Sequence, residues 1–538
     1  MSGHGSRPLR GLESTAQSSV QSAKFGRLFR WLEPAIAPEG PSEELSARNM
    51  LTALAARMVT GEFDDNVEGH KFPNDSPDAP IEISEPADEN VSIAAGYTYL
   101  GQFIDHDITF DPASSLQRLN DPDAVEDFRT PRLDLDCLYG RGPVDQPYLY
   151  SKASGRGKFI LGPNRGIAGM DRPDLQRSGD NTALIGDKRN DENKIVGQIQ
   201  ALFLKFHNKI YDQIAPNFGP NQQDAHFAEA QRIVRWSYQW IVLHDFLPKI
   251  CDPAVVASLM PSAGRREPNL QFYRPHDGQA YIPVEFSVAA YRFGHSMVRP
   301  SYALNTTARS SANFNGKPFG RIPIFVRQSS ATTDAMNGFG EALPASWGID
   351  WSFFFGVPGT HPLGQKQIPQ PSYRIDAFLV DPLGALPEFV SAPSPFASLA
   401  FRNLQRGVSM GLPSGQNVAR MMGAQDVLSD EQLWSVRNEE EALVPWPEGT
   451  TFFQDPKNKK WLEGAAPLWY YILKEAEIMN HGHHLGEVGS RIVAETLIGL
   501  TWHDHYSYLF QVPRWNPSQE KLGLGANLDM LELATFVG

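Results

Sequence analysis

Apolar residues recur at every third or fourth position along most of the chain, which is the spacing of one face of an α-helix. Alternating stretches of strand type are rare and short, and loops rich in Pro and Gly connect the helical stretches. The pattern predicts helices over residues 42–59, 92–108, 190–214, 224–251, 283–298 and 485–500. The chain is therefore predicted to be mainly α, with a single large domain and few short strands.

The pattern changes near residue 85. Before it, a start rich in Gly and Ser and an acidic loop bearing Pro surround the one predicted helix, 42–59. We therefore predict an N-terminal extension over residues 1–85 and one domain over residues 86–538. Residues 25–32 form a short basic amphipathic stretch, for which packing on the protein's own core is favoured over a membrane-surface role.

Composition narrows the class of protein. The 538 residues are 41% hydrophobic and 20% charged, enough to bury a large core. A net charge of −14 argues against a nucleic-acid binder or an anionic-membrane binder. Cys137 and Cys251 are the only cysteines, so there is no disulfide framework, and two reduced thiols are favoured over a single bridge.

Targeting signals are the next feature. The first residues lack the apolar core of a signal peptide, and no apolar run reaches the length of a transmembrane helix. A cytoplasmic location is therefore the default expectation, and non-classical export stays open.

The helix predicted over 92–108 has an apolar face and a polar face. The polar face groups Gln102, Asp105 and His106 at positions i, i+3 and i+4. Asp107 points roughly a quarter-turn away and would serve a different neighbour. Taken alone, this segment is explained by a surface helix whose polar face is exposed to solvent.

Three further segments carry polar residues at helix ends. Arg189 and Glu192 precede the apolar helix that ends near residue 214, and His295 lies in the last turn of the helix predicted over 283–298. Asn403 and Arg406 share one face at i, i+3 in a fourth segment. Each placement is ordinary helix chemistry when taken alone.

Together the four segments resemble the animal-type haem peroxidases of the peroxidase–cyclooxygenase superfamily, with the chain similar to a bacterial-like member. GQFIDHD resembles the family motif G-Q-x-x-D-H-D, and GDKRNDE resembles G-D-x-R-x-x-E. YRFGHSMVRP is similar to the R-x-G-H motif, and RNLQRG to N-x-Q-R-x. The motifs occur in the family's chain order, over about residues 90–520. The resemblance implies a haem b derivative held between two helices.

The resemblance also implies roles for these residues. His295 would be the proximal iron ligand, oriented by the amide of Asn403. His106 would be the distal base that moves a proton between the two peroxide oxygens. Arg189 would stabilise the charge that develops as the O–O bond breaks, and Gln102 would hold distal water or an anion.

Further residues match the family's cofactor contacts. Asp105 and Glu192 match the carboxylates that form ester bonds to haem methyl groups. Asn193 stands where some members carry a Met that links to a haem vinyl group, so neither that third bond nor efficient chloride oxidation is expected. Arg292 and Arg406 are expected to pair with the haem propionates.

The segment TPRLDLDCLYG alternates like a half-exposed strand, and it also resembles the family's calcium loop, T-x-F-x-D-x-S. Calcium prefers six to eight hard oxygen ligands. The resemblance implies that the ion would anchor the helix of His106. The predicted Ca²⁺ ligands are Asp107, Thr130, the carbonyl of Arg132, Asp134 and Asp136.

The function implied is a haem peroxidase that reduces hydrogen peroxide and oxidises small donors through an oxyferryl intermediate, in the response to oxidative stress. Phenols, bromide, iodide and thiocyanate are the expected donors. The alternative within the superfamily is a fatty-acid dioxygenase, but those enzymes carry a Tyr three residues before the proximal His. Here Arg292 occupies that position and Tyr291 lies four residues before.

A third alternative is a hydrolytic or structural metalloprotein built on a histidine cluster. His481, His483 and His484 lie close together in NHGHHLGEV. The segment precedes a helix and matches no catalytic part of the family, so a solvated loop is favoured over a metal site.

Overall fold

A computed structural model describes residues 25–60, 88–109, 129–275, 278–309, 320–325, 335–360, 368–389, 395–438 and 441–538. As predicted, the described chain is mainly helical, with one continuous apolar core. The α-helices span Pro41–Arg57, Gly96–Ile108, Asp136–Tyr139, Gly142–Asp145, Lys194–Ile214, Gln223–Ile241, Leu247–Ile250, Pro253–Leu259, Leu399–Ser409, Gly415–Met422, Asp430–Leu433, Pro447–Gln454, Pro456–Leu462, Leu468–Asn480, Glu487–Trp502, Tyr508–Gln511 and Met530–Val537.

The strands are short and form two-stranded pairs that join distant parts of the chain. Two pairs are parallel: Phe25–Gly26 with Ile282–Pro283, and Val59–Thr60 with Leu379–Val380. Three pairs are antiparallel: Glu89–Ala94 with Pro371–Tyr373, Ser301–Tyr302 with Ile322–Pro323, and Ser435–Arg437 with Leu443–Pro445.

The helix predicted over 92–108 begins later than expected. Residues Glu89–Ala94 form a strand instead, and the helix runs over Gly96–Ile108. At Gly96 a Cβ atom would lie 2.5 Å from the carbonyl oxygen of Phe354, so only glycine allows the helix to begin this close to its neighbour. Pairing with a partner about 280 residues away, which local periodicity does not reveal, determines this boundary.

Three other helix predictions were wrong in detail. Residues Lys188–Asp191 form a 3₁₀ turn, and the following helix starts at Lys194 because the side chain of Asn193 caps it. The segment predicted as one α-helix over 283–298 is a π-helical turn, Glu285–Ala289, followed by a 3₁₀-helix, Ala290–His295. A π-helical turn, Val242–Phe246, also divides the helix predicted over 224–251.

The predicted extension is part of the same packed structure over residues 25–60. Phe25 and Phe29 are buried in the core, as the amphipathic pattern predicts, and helix Pro41–Arg57 packs on helix Leu399–Ser409. Residues 1–24 and 61–87 of the predicted extension lie outside the described residues.

Both cysteines are free and buried. Burial, with neighbouring negative charges, raises the pKa of Cys137, and burial raises the pKa of Cys251. The expectation of two thiols without a bridge is thus confirmed in the structure. None of the helices in the described ranges has the length and apolarity needed to span a bilayer.

Candidate active site

A cavity in the core brings together residues from the predicted motifs. Gln102, Asp105 and His106 line it from helix Gly96–Ile108, the His106 helix. Glu192 joins them from the turn before helix Lys194–Ile214. His295 and Arg292 line the same cavity from the 3₁₀-helix Ala290–His295, the His295 helix, and an apolar wall completes it: Met297, Val298, Ile324, Phe325, Leu383, Leu386 and Leu399.

His295 and Asn403 form a pair, as the motifs predict. The amide of Asn403 lies 2.7 Å from Nδ1 of His295 across 108 positions of sequence. The atom placed there is the amide nitrogen Nδ2; with the amide turned over, its oxygen accepts from Nδ1–H, and this orientation leaves the lone pair of Nε2 available to a metal. Burial, and next the positive charge of Arg292, lowers the pKa of His295 to about 3, so the ring is neutral and able to ligate a metal.

His106 is buried, and a hydrogen bond orients it. Its Nδ1 lies 2.8 Å from the amide oxygen of Asn190, while the amide nitrogen of Asn190 donates to Gln200 at 2.8 Å. Because the Asn190 oxygen only accepts, Nδ1 of His106 carries the hydrogen and Nε2 presents its lone pair. Burial, followed by the charge of Arg189, lowers the pKa of His106 to about 4, so the ring is a neutral proton acceptor near pH 7.

A chain of hydrogen bonds fixes the polar wall beside His106. Asn193 donates to Gln102 at 3.0 Å, and Gln102 donates to the carboxylate of Glu192 at 3.2 Å. That carboxylate lies 3.9 Å from Nε2 of His106. Asn193 therefore has two structural roles, because its side chain caps helix Lys194–Ile214 and donates a hydrogen bond to Gln102.

The second carboxylate, Asp105, lies between a hydroxyl and a guanidinium. Thr109 donates to it at 3.1 Å, and Arg292 lies 3.7 Å away. Burial raises its pKa, but the charges of Arg292 and Arg189 and the hydrogen bond from Thr109 oppose burial, and the pKa of Asp105 lies below its ordinary value. Asp105 is thus ionised in the cavity wall. Arg406, one turn after Asn403, does not line the cavity within the described structure.

Arg189 lies behind His106 and is absent from the described cavity wall. Its guanidinium donates to the carbonyl of His106 at 3.0 Å, to that of Thr109, and to the carboxylate of Asp187 at 2.8 Å. Arg189 therefore supports the end of the His106 helix by satisfying its last carbonyls, and it places a positive charge behind His106.

The residues of the predicted calcium loop meet as expected, but not on a strand. The carboxylates of Asp107, Asp134 and Asp136 are buried with oxygens within 4.8 Å of one another. Thr130 is buried and donates to Asp134 at 2.8 Å. The strand alternative that the alternation left open does not hold, because the chain turns through Leu135 in the left-handed conformation and starts a short helix.

Arg132 and Arg129 connect this cluster to its surroundings. The guanidinium of Arg132 points to Asp504, at 3.9 Å. Arg129 donates to Asp136 at 3.0 Å and to Asp187 at 2.6 Å, and Asp187 also accepts from Arg189. The cluster is thereby joined to the residues behind His106.

The histidine cluster is a loop before a helix, as predicted. His481 lies 3.0 Å from Glu441, and His484 lies 2.8 Å from the carbonyl of Leu485. Among the described residues, only Asp107, Asp134 and Asp136 form a group able to hold a metal ion.

Sequence reasoning missed two residues of the site. Asn190, which orients His106, lies inside the motif GDKRNDE, but nothing in the sequence shows that it faces a histidine. Tyr291 lines the cavity, and its buried hydroxyl has no hydrogen-bond partner in the described part of the chain. Its position before the proximal motif was noted, but its place in the cavity wall depends on the unusual turn of the His295 helix.

Comparisons with known proteins agree with this geometry. Residues 121–443 match the family model described as animal haem peroxidase. Thyroid peroxidase from Canis lupus familiaris is 25% identical over 313 residues, which cover 54% of this chain and 29% of that protein. Eosinophil peroxidase from Homo sapiens is 27% identical over 241 residues, which cover 44% of this chain and 28% of that protein. The chain thus spans less than a third of the length of these relatives.

Solved structures share the fold. Peroxidase A from Dictyostelium discoideum superimposes with a TM-score of 0.55 at 15% identity and covers 97% of this chain and 95% of that one. A fatty acid alpha-dioxygenase from Oryza sativa gives a TM-score of 0.54 at 14% identity and covers 84% of this chain and 74% of that one. At these identities the likeness concerns the fold alone.

Proposed function

The chain belongs to the animal haem peroxidase family, and on this premise we propose that it reduces hydrogen peroxide and oxidises small donors at the cavity shared by His106 and His295. The observation that carries the proposal is the pairing of two neutral imidazoles, one buried (His106) and one half-buried (His295), with different hydrogen-bond partners. His295 is held by an amide and His106 by another amide, in the wall of one cavity.

The cavity fits a haem by the chemistry of its donors. A neutral imidazole with Nε2 available is an iron ligand, and the apolar wall suits a porphyrin. Tyr291, whose buried hydroxyl lacks a partner among the described residues, belongs to the same wall. Haem, when bound, supplies the iron that takes up peroxide and holds its oxidising equivalents.

The residues around His106 would move the proton. Nε2 of His106 accepts a proton from one peroxide oxygen and returns it to the departing one, which leaves as water. Asn190 keeps the hydrogen on Nδ1 throughout, so His106 accepts and returns the peroxide proton only at Nε2. Burial and the charge of Arg189 keep His106 neutral before the reaction, and from behind His106 the same charge would stabilise negative charge as the O–O bond breaks. Gln102 would hold water or an anion beside Glu192.

Asp105 and Glu192 would attach the haem through ester bonds. Each ester would join a carboxyl oxygen to a haem methyl group, with hydrogen peroxide as the oxidant that takes up the two hydrogen atoms removed. Arg292 lines the cavity and would pair with a propionate, and Arg406 is proposed to do the same from its helix.

The aspartate cluster is proposed to bind Ca²⁺. One oxygen of Asp107 and one of Asp136 are buried without a hydrogen-bond partner among the described residues. Buried carboxylates whose oxygens lie within 4.8 Å of one another repel until a proton or a cation compensates them, and such hard oxygen atoms suit Ca²⁺. Asp107, Asp134, Asp136, the hydroxyl of Thr130 and the carbonyl of Arg132 would supply the oxygen ligands.

The donors proposed are phenols, bromide, iodide or thiocyanate. Asn193 supports this choice, because its side chain is engaged by Gln102 and by two backbone amides and cannot form the Met-type link to haem. Steady-state assays with a panel of halides, thiocyanate and phenols test this, and efficient chloride oxidation would contradict it.

Two variants test the haem assignment. His295→Ala should lose the Soret band, because the iron loses its protein ligand. His106→Ala should keep the band but react with hydrogen peroxide slower by about a hundredfold or more in stopped-flow spectroscopy, because the base is gone. Intact haem binding in His295→Ala, or an unchanged rate in His106→Ala, would contradict the assigned roles.

The fatty-acid dioxygenase alternative has one observation in its favour, the placement of Tyr291 in the cavity wall. Oxygen uptake with a long-chain fatty acid, lost in Tyr291→Phe while phenol oxidation persists, would establish it. We expect no fatty-acid-dependent oxygen uptake in the wild-type protein.

A further inference from the structure

Residues 25–36 form a segment, called the strap below, that contacts both elements of the His295–Asn403 pair. On the His295 side, Phe25–Gly26 pairs with Ile282–Pro283. The backbone amides of Leu28 and Phe29 donate to the fully buried carboxylate of Glu285 at 3.0 and 3.2 Å. Glu285 opens the π-helical turn that leads directly into the His295 helix.

On the Asn403 side, the strap holds the end of helix Leu399–Ser409. The guanidinium of Arg27 donates to the carbonyl of Met410 at 2.7 Å and to that of Gly411 at 3.0 Å. The amide of Ala35 donates to the carbonyl of Leu412 at 2.8 Å. Carbonyls at a helix end lack partners within the helix, so a cation there both satisfies them and stabilises the helix dipole.

The strap also lies next to Asn403 itself. Ala35 and Ile36 line a small cavity whose wall includes Asn403. Trp469 lines the same cavity and donates to the carbonyl of Arg292 at 3.2 Å, a second tie to the His295 helix. The strap therefore connects the segment that leads into the His295 helix with the helix that carries Asn403.

The 2.7 Å contact between His295 and Asn403 joins two segments 108 positions apart, both of which also contact helix Leu468–Asn480. A hydrogen bond forms only over a narrow range of distance and angle, and it weakens steeply as its angle departs from linear. We propose that the strap sets this distance, with Arg27 as a positioning residue for the His295–Asn403 pair. The inference rests on the proposed function, because the property it controls is the electron donation of His295 to a bound iron.

The test compares haem-loaded full-length proteins by resonance Raman spectroscopy and potentiometry. In Arg27→Ala the amide of Asn403 should move away from Nδ1 and make the ring a weaker donor. We expect the iron–histidine stretching band to move to lower frequency and the reduction potential to rise. Asn403→Ala should shift both in the same direction and by more. Arg30→Ala is the matched control, because Arg30 has the same charge on the same strap with an exposed side chain.

A double variant separates positioning from general loosening. Arg27→Ala introduced into Asn403→Ala should produce no further shift, because the bond through which Arg27 acts is already absent. Arg27→Gln, which keeps one donor, should give an intermediate shift and serves if Arg27→Ala fails to fold.

Three results would overturn the proposal. Bands and potentials identical to wild type in both Arg27 variants, or shifts that add fully in the double variant, would refute the strap alone. Wild-type protein that takes up no hemin would refute the proposed function together with the strap.

Discussion

Asn190 determines which nitrogen of His106 faces the cavity. Its amide is itself fixed by Gln200, which donates to the carbonyl of Cys137 at 3.4 Å. The three side chains form a buried relay that ends in the interior and has no titratable member besides His106. This series of amide hydrogen bonds fixes the tautomer of His106 without adding charge, whereas a carboxylate partner would add a negative charge.

Asn190→Ala tests this arrangement. Without the amide, His106 is free to rotate and to place its hydrogen on Nε2, where the base must be vacant. We expect the reaction with hydrogen peroxide to slow by about tenfold to a hundredfold, less than on losing the base itself, with haem binding retained. Stopped-flow spectroscopy measures the rate. Lys188→Ala, at an exposed position of the same turn, is the control, and equal rates for both variants would contradict the role of Asn190.

At the scale of elements, the loop around residues 129–136 is fastened to the His106 helix from two sides. Asp107 belongs to that helix and accepts from the backbone of Leu135 at 3.2 Å. Arg129 and Asp187 connect the loop to Arg189 and so to the helix's last carbonyls. A cation among the aspartates would therefore hold the distal wall together.

Calcium removal tests this element. Bound Ca²⁺ stabilises the folded chain by mass action, about 3 kcal/mol when its concentration exceeds the dissociation constant by about a hundredfold. We expect a chelator to lower the melting temperature, and calcium to restore it, as measured by calorimetry. Asp134→Asn should respond little to either, whereas the exposed control Asp224→Asn should behave as wild type. A wild-type melting temperature that is independent of chelator would remove the calcium site.

Helix periodicity predicted the elements better than their boundaries. The apolar faces of helices Lys194–Ile214 and Glu487–Trp502 are local properties of the sequence, and both were predicted nearly in place. The start of the His106 helix depends on a strand partner far along the chain. The aspartate loop reads as a strand because its side chains alternate, yet three buried carboxylates and a left-handed Leu135 fold it into a turn.

At the scale of the whole molecule, the site is assembled from segments spread over about 300 positions. The motif residues of the cavity wall were predicted because each side chain belongs to a recognisable pattern. The strap was not, because Arg27 and Glu285 contact backbone groups, which leave no pattern in the sequence. Contacts of this kind follow only from the packed chain.

Glu475 links the stability of the whole chain to pH. Its buried carboxylate accepts from the amides of Val488 and Gly489 at the start of helix Glu487–Trp502. Burial, partly opposed by these amides, raises its pKa from the ordinary 4.5 to about 7. Between these values the folded chain holds a proton that the unfolded chain releases, so this group lowers the free energy of unfolding as pH rises, by at most about 3 kcal/mol.

Glu475→Gln should remove that contribution. Between pH 4.5 and 7 the free energy of unfolding of the variant should fall less than that of wild type. Urea denaturation at several pH values measures both. Glu463→Gln, at an exposed position, should follow the wild-type curve. Parallel curves for wild type and Glu475→Gln would show that Glu475 does not titrate in this window.

The burial of both cysteines bears on the proposed reaction with hydrogen peroxide. Only a thiolate reacts readily with hydrogen peroxide, and Cys137 and Cys251 are enclosed in the core with raised pKa values. Neither cysteine is therefore expected to be oxidised to a sulfenic acid while the chain is folded. The rate at which peroxide inactivates the protein then depends on other side chains. The protein can be purified and assayed without thiol reductants, which would otherwise consume the very oxidant being measured.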